Sequence, residues 1–333
     1  MQQSINRAVC AATLLLTAVT LSSADAASTI SKYGIDFCVI GAVGNRGTNQ
    51  TEAPGIPSRG AVGHAYAISR NEITIGQWYE FANAYGKYIP LTQQGSTFRG
   101  LRGIGVSLSN PSHVSLLPGF ENIAAEVGWR YTAMYCNWLH NNKVNEKWAF
   151  ESGAYDVSTF TSSNGKYFDQ PTHSAGAKFW IPSLDEWIKS AYYDPNRYGD
   201  GNGGYWTRPG GRDTFLQPGT PQNGGETSAA TGGVSLLNVG SYPAIGGPWG
   251  LLDTSGGVKE WSEFQDRNGL RSAMGTKYGE SQVVADAIDW EGLSGVPDFS
   301  LAGIRLATEV PAPATACIFA VVGSFATRKR SHI

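Results

Sequence analysis

The sequence predicts a globular fold of short strands, a few helices and long structured loops, held together by large aromatic anchors. Three observations point there. Glycine takes 42 of 333 positions, nearly double its usual ~7%, so turns and loops outweigh regular elements. Aromatic residues make up 11% of the chain, with 10 Trp and 15 Tyr, enough to build a core and exclude a disordered chain. Charged residues are only 16%, against about 25% in an average domain. The 25 basic and 27 acidic residues nearly cancel, so no cationic field recruits nucleic acid, and none is expected as a partner. Coiled coils and helical bundles are excluded by the glycine content.

Residues 1–26 read as a secretory signal peptide. Arg7 is the positive n-region, Ala8 to Leu21 the apolar h-region, and Ala24-Asp25-Ala26 a small-x-small cleavage site. Residues 27–309 carry neither a repeat nor a linker and read as one domain. Within it, Tyr33 to Ile40 is followed by a Gly/Pro-rich loop, and His64 to Ser69 alternates like a strand. Thr74 starts an amphipathic helix with Trp78, Phe81 and Ala82 on one face, ending at Gly86. Glu121 to Asn142 reads as a second helix interrupted near Gly128, with Trp129, Tyr131, Tyr135 and Trp138 as core anchors. Phe179 to Pro182 is a short strand. Ser183 and Glu186 then have capping-box spacing ahead of a third helix, which gives Asp185 and Glu186 a first-turn, dipole-favoured role rather than a catalytic one. Asp194 to Gly247 is a long structured loop. Its Asp194, Asn196, Asp200 and Asn202 fit ordinary turn chemistry better than a cation loop. Short strands follow at Gly250 to Leu252, Val258 to Trp261 and Ala302 to Ala307.

The C-terminus, 310–333, combines Pro311-Ala312-Pro313, an apolar run from Ala316 to Ala326, and the basic cluster Arg328-Lys329-Arg330. The run is shorter than the ~20 residues that span a bilayer, yet the basic end reads as a stop signal. The arrangement resembles the PEP-CTERM sorting tail of exosortase systems, with Ala312 in the place of that motif's glutamate. An exported protein, held transiently at the membrane by this tail and handled by exosortase-type machinery, is the expectation.

Four segments in order carry a second resemblance. They are Tyr66-x-Ile68-Ser69-Arg70-Asn71-Glu72-Ile73-Thr74 leading into Gln77-Trp78-x-x-Phe81, Val127-Gly128-Trp129-Arg130-Tyr131 onward to Trp138, Ile181-Pro182-Ser183-Leu184-Asp185-Glu186-Trp187, and Trp249-Gly250-Leu251-Leu252-Asp253 through Gly257-Val258-Lys259-Glu260-Trp261. Gly303-Ile304-Arg305 closes the set. Together they resemble the sulfatase-modifying factor family, which includes formylglycine-generating enzymes, over roughly residues 60 to 308. The resemblance implies an α+β, C-type-lectin-like fold with little regular secondary structure and loops often stabilised by calcium.

The same resemblance sets expectations for chemistry. Formylglycine-generating enzymes oxidise a cysteine of a client sulfatase with copper and oxygen, using two cysteines near the C-terminus; soft thiolates are what Cu(I) selects. The corresponding interval here, Arg271 to Arg305, contains no cysteine. Cys136 matches a structural cysteine of the family, Cys38 lies far upstream, and Met274 reads as a gap-filler. Whether Cys38 and Cys136 pair is open. The five histidines (His64, His113, His140, His173 and His332) are scattered without metal-ligand spacing. Copper is therefore not expected, and no catalytic residue is assigned. Gly256-Gly257-Val258-Lys259-Glu260 matches the family's calcium turn, with Gly257 where the family has asparagine. Calcium held by Glu260 and the carbonyls of Gly256 and Val258 is one reading. A buried glutamate fixing the turn is the other. The functional expectation is a surface module for a glycan, peptide or matrix component, with a divergent formylglycine-generating or non-haem iron oxidoreductase as the alternative.

Overall fold

Strand pairing between distant parts of the chain organises the protein, seen in a computed structural model that describes residues 28–89, 98, 101–107, 113–232, 236–289, 293–297 and 301–311. The expected signal peptide and all of the expected tail beyond Pro311 lie outside the described residues. Among the described residues, no helix is long and apolar enough to cross a membrane.

The first sheet begins with the hairpin β1 (Thr29–Lys32) and β2 (Ile35–Ile40), turned at Tyr33-Gly34, both with positive φ. Next comes β3 (Tyr66–Ser69), all four residues buried. Two-residue strands β9 (Phe179–Trp180) and β16 (Ala307–Thr308) complete it in the order β1-β2-β3-β16-β9, antiparallel throughout. The second sheet runs β14-β13-β12-β15-β6. It comprises β6 (Glu126–Val127), β12 (Glu260–Gln265), β13 (Arg271–Met274), β14 (Leu293–Gly295) and β15 (Ala302–Gly303), with only β12 and β15 parallel. Small hairpins decorate the surface: β4 (Ile104–Val106) with β5 (Val114–Leu116), β7 (Ser162–Ser163) with β8 (Lys166–Tyr167), and β10 (Tyr193–Asp194) with β11 (Gly204–Tyr205).

Two of the longer helices start where side chains satisfy their first N–H groups. In α1 (Ile75–Gly86), the Thr74 hydroxyl accepts from Gln77 N and the Gln77 side chain accepts from Thr74 N, a reciprocal capping box. Ser183 and Glu186 make the same box at α4 (Leu184–Tyr192). Between them lie α2 (Trp129–His140) and the short α3 (Lys147–Glu151), and α5 (Gln282–Ala285) follows later. Trp78 and Phe81 of α1 are buried, with Phe81 edge-on to Tyr135 and Trp138 of α2. A second, smaller cluster forms around Trp187, Tyr192, Tyr205 and Met274.

Three expected elements differ from the structure. Residues 121–127 are not helical: Ala124 bridges Thr74, Ile123 bridges Asn238, and Glu126–Val127 pairs with β15. Gly128, with extended backbone, caps α2 and separates the two parts. Gly250 to Leu252 is irregular backbone after a turn at Pro248–Trp249, and the strand expected at Val258 begins at Glu260 and runs on to Gln265. The last expected strand is two, split at Ile304–Leu306 because β15 and β16 belong to different sheets. That split is what places Arg305 between the sheets.

Candidate functional site

Between Leu252 and β12 the chain must turn sharply, and the residues there have the conformations such a turn requires. Asp253, Gly256 and Gly257 all have positive φ, at 58°, 82° and 61°, a region that Gly adopts freely and Asp tolerates. The turn is fastened on one side by hydroxyls. Ser228 Oγ accepts from Gly257 N at 3.0 Å, Thr227 Oγ1 donates to Ser255 O at 2.9 Å, and Ser255 Oγ donates to Asp286 Oδ2 at 2.6 Å. Thr276 donates to the other Asp286 oxygen. On the opposite side, Val258 N donates to Glu72 Oε1 at 2.7 Å. A Cβ on Gly257 would collide with that carboxylate, so the glycine that replaces the family's asparagine leaves the space Glu72 fills.

Glu260 opens β12 facing Arg305 of the β15–β16 split. Glu260 Oε1 accepts from Arg305 Nη2 and Oε2 from Arg305 Nε, both at 2.6 Å, and Trp187 Nε1 donates to Oε2 at 2.6 Å. The remaining guanidinium donors reach the carbonyls of Ser69, Arg70 and Leu252 at 2.7, 3.0 and 2.9 Å. Every one of its five N–H groups is thus used, and the side chain is fully buried. This one residue ties β3, the Leu252 turn and β12 together.

Acids outnumber cations at this turn. Burial and the nearby Asp253 and Glu260 hold the Glu72 carboxyl well above the usual range. Burial pushes Asp253 up to about 6, and Asp286 also to about 6 despite its two hydroxyl donors. Arg305 is raised further by Glu260 against the cost of its burial. The carboxyls of Glu72, Asp253 and Asp286 therefore favour their protonated forms more than ordinary acids do.

The other sequence-predicted positions are dispersed. Cys38 on β2 and Cys136 on α2 are buried free thiols; burial pushes Cys38 up to about 11 and Cys136 well above its ordinary value. Met274 sits in the smaller core cluster. Two histidines are backed by buried carboxylates: His64 Nε2 lies 2.8 Å from Glu186, and His173 Nδ1 lies 2.9 Å from Glu263. His140 accepts from Lys178 N, His113 is exposed, and His332 lies outside the described residues. Asp185 accepts from Gly60 N at 2.7 Å. Asp194 accepts from Asn196 N, and Asn196 from Gly201 N, the turn chemistry expected for that loop. Among the described residues no group of three or more His, Cys, Asp or Glu side chains is placed to hold a metal ion.

Sequence reasoning missed Glu72, Asp253 and Asp286 as members of one region. Glu72 and Asp253 stand inside the motifs that carry the resemblance, but nothing in their spacing shows that they meet 181 positions apart. Asp286 lies between the fourth segment and the closing Gly303-Ile304-Arg305 and has no local signal at all.

Comparisons with known proteins bear on the whole of this architecture. The model of the sulfatase-modifying factor enzyme 1-like domain matches residues 37–309. Among solved structures, a crystal structure of CarF is similar at 17% identity, covering 83% of this chain and 98% of that one, with a TM-score of 0.45. PvdO from Pseudomonas aeruginosa is similar at 16% identity, covering 86% of this chain and 100% of that one, with a TM-score of 0.48. Comparison with curated proteins finds no match. The family model spans the second sheet, the first sheet from within β2 onward, the described helices and the Glu260–Arg305 pair, and on that match the chain belongs to the sulfatase-modifying factor enzyme 1-like family.

Proposed function

We propose that this chain is a non-oxidase member of the family, exported and held at the cell envelope, where it binds a surface glycan, peptide or matrix component. The condition of its thiols carries the reading. Copper-dependent cysteine oxidation requires soft thiolate donors at an accessible site. Residues 271–305 supply none, and Cys38 and Cys136 are 1% and 0% exposed on separate elements, held as thiols by burial. The donors present do not fit a copper centre. The exported location rests on the signal-like start and the basic-ended apolar tail of the sequence.

Calcium at the 256–260 turn fits poorly for an equally physical reason. Both Glu260 oxygens already accept from the Arg305 guanidinium, so a cation there would face a positive charge across the same carboxylate. Glu260 serves as the anion that fixes the turn and its arginine.

The test is a peptide with a sulfatase-type Cys-x-Pro-x-Arg sequence, incubated with the protein, copper and oxygen and read by an aldehyde-reactive probe and mass spectrometry. No aldehyde above the no-enzyme control is expected. Aldehyde that disappears in Cys38→Ser or Cys136→Ser would overturn the reading. Stoichiometric copper or iron in the purified protein would also count against it, in favour of a divergent oxidase.

A further inference from the structure

Asparagine followed by glycine is the dipeptide in which a backbone nitrogen most readily attacks the preceding side chain, because glycine has no Cβ to hinder the approach. The chain contains four such pairs: Asn164-Gly165, Asn202-Gly203, Asn223-Gly224 and Asn268-Gly269. The same dipeptide stands at each position, so it is the fold that ranks them. Reaction needs a glycine N–H that is not engaged elsewhere, and a backbone free to swing that nitrogen onto the asparagine Cγ.

Three of the pairs lack one of these conditions. Gly224 N donates to Pro221 O at 3.2 Å, and Gly269 N to Asp266 O at 2.9 Å. Asp266 Oδ1 fastens the second of these turns further, accepting from Asn268 N at 2.8 Å and Leu270 N at 2.9 Å. Gly203 N has no backbone acceptor among the described residues, but the residue is pinned in place. Its carbonyl accepts from Arg46 Nη2 at 3.3 Å, and it lies so close to Tyr193 that a Cβ would collide with the phenol.

Asn164-Gly165 meets both conditions. It is the two-residue turn between β7 and β8, with φ of 51° and 73°, and residues 161–166 are all exposed. Gly165 N has no backbone acceptor among the described residues, and no heavy atom lies within 4 Å of where its Cβ would sit. The hairpin has only two residue pairs, Ser162 with Tyr167 and Ser163 with Lys166, to resist the movement.

We propose that Asn164 is a self-modifying site, converted to aspartate and isoaspartate with water as the only co-reactant. Gly165 N attacks Asn164 Cγ and gives its proton to solvent. The Cγ–Nδ2 bond breaks, Nδ2 leaves as ammonia, and a succinimide ring closes. Water then adds to one of the two ring carbonyls and the glycine nitrogen takes back a proton. Opening at Cγ gives aspartate; opening at the main-chain carbonyl gives isoaspartate, whose backbone runs through Cβ and Cγ.

Both products place a new carboxylate beside Lys166. Isoaspartate also adds an atom to the backbone of the turn, so Ser163 can no longer face Lys166 in the same register. β8 stays attached at its base, where Tyr167 N donates to Asn268 O at 2.8 Å. The result is a loosened hairpin on an otherwise intact fold. The assignment is independent of the binding-module reading and stands or falls without it.

The experiment ages the full chain at pH 8, folded in one arm and unfolded in guanidinium chloride in the other. Peptide mapping by mass spectrometry follows amide-to-acid conversion at each of the four asparagines, and an isoaspartate-specific methyltransferase counts the β-linked product. Dividing each folded rate by the same site's unfolded rate removes the effect of neighbouring residues. The ratio should be near unity at Asn164 and about tenfold lower at Asn223 and Asn268, where a hydrogen bond must first be given up. Asn202 should fall below Asn164. Equal ratios at Asn164 and at Asn223 or Asn268 would overturn the assignment. So would an Asn202 that outpaces Asn164, or an Asn164 that converts when unfolded and not when folded.

Discussion

Replacing Arg305 by lysine keeps the charge and most of the length, so it isolates what the planar fork contributes. All five guanidinium N–H groups are used: two on Glu260 and one each on the carbonyls of Ser69, Arg70 and Leu252. Lysine has three N–H donors, so at least two buried acceptors lose their partner. A lost bond involving a charged group costs about 1.5–3 kcal/mol, and a broken buried pair about 3–5 kcal/mol. Arg305→Lys should therefore destabilise by about 3–4 kcal/mol. At about 2–4 °C per kcal/mol for a domain of this size or slightly smaller, the midpoint should fall by roughly 6–16 °C. Glu260→Gln preserves shape but leaves Arg305 buried without its counter-charge, and should cost about as much. Combined, the two losses should fall short of their sum by about 1–3 kcal/mol, since each removes the same interaction. Urea and thermal unfolding followed by circular dichroism measure all three variants. A loss under about 1 kcal/mol for Arg305→Lys, or strict additivity in the double variant, would refute the view that this pair locks the two sheets.

Three further expectations follow from named contacts. Gly257→Asn, which restores the family's residue, should destabilise by about 1–3 kcal/mol: its side chain must displace Glu72 and leave Val258 N–H without its acceptor, and unchanged urea stability would contradict that arrangement. Stability should be greater near pH 5 than at pH 8. The Asp253 and Asp286 carboxyls are pushed up to about 6, above an unfolded value near 3.9, so the native state binds more protons than the unfolded one through that window and loses stability as pH rises. His140 is lowered and His173 raised, so their contributions oppose each other, while Glu52, held at about 2 by Arg46 and backbone donors against its burial, loses its contribution only as pH falls below about 4.5. A thermal midpoint that rises from pH 5 to pH 8 would show the sign to be wrong. Deleting residues 311–333 should release protein into the soluble fraction with its midpoint unchanged, because Thr308 and Glu309 receive the closing bonds from Lys32 and Val310, which is kept, packs on the core; loss of folding would make the tail part of the domain.

Local chemistry was legible in the sequence wherever a few neighbouring residues complete an interaction. Thr74 with Gln77 and Ser183 with Glu186 start their helices at the expected residues because a capping box closes within four positions. The stretch 121–127 failed for the opposite reason. Ile123, Ala124, Ala125 and Val127 are buried, and an apolar run of that length suits a helix or an extended segment equally. Its partners Thr74, Asn238 and Ala302 decide for extended backbone, and they are remote in sequence. Two-residue strands such as β9, β15 and β16 are too short to show a period.

The same division explains the site. The Gly256-Gly257 turn and Glu260 were visible as a motif, but what each carboxylate does depends on which charge reaches it. Glu260 faces Arg305, a residue the sequence also singled out, yet their 45-residue separation carried no sign of pairing. Glu72 comes from the opposite end of the domain to occupy the volume an asparagine side chain would need at position 257. A carboxylate that would otherwise be free at the turn is thereby tied to Val258 N, and its partner Glu260 is tied to a guanidinium. The consequence is a turn whose two nearest glutamates are both engaged internally. That internal engagement follows from contacts 186 and 45 residues apart rather than from any local pattern.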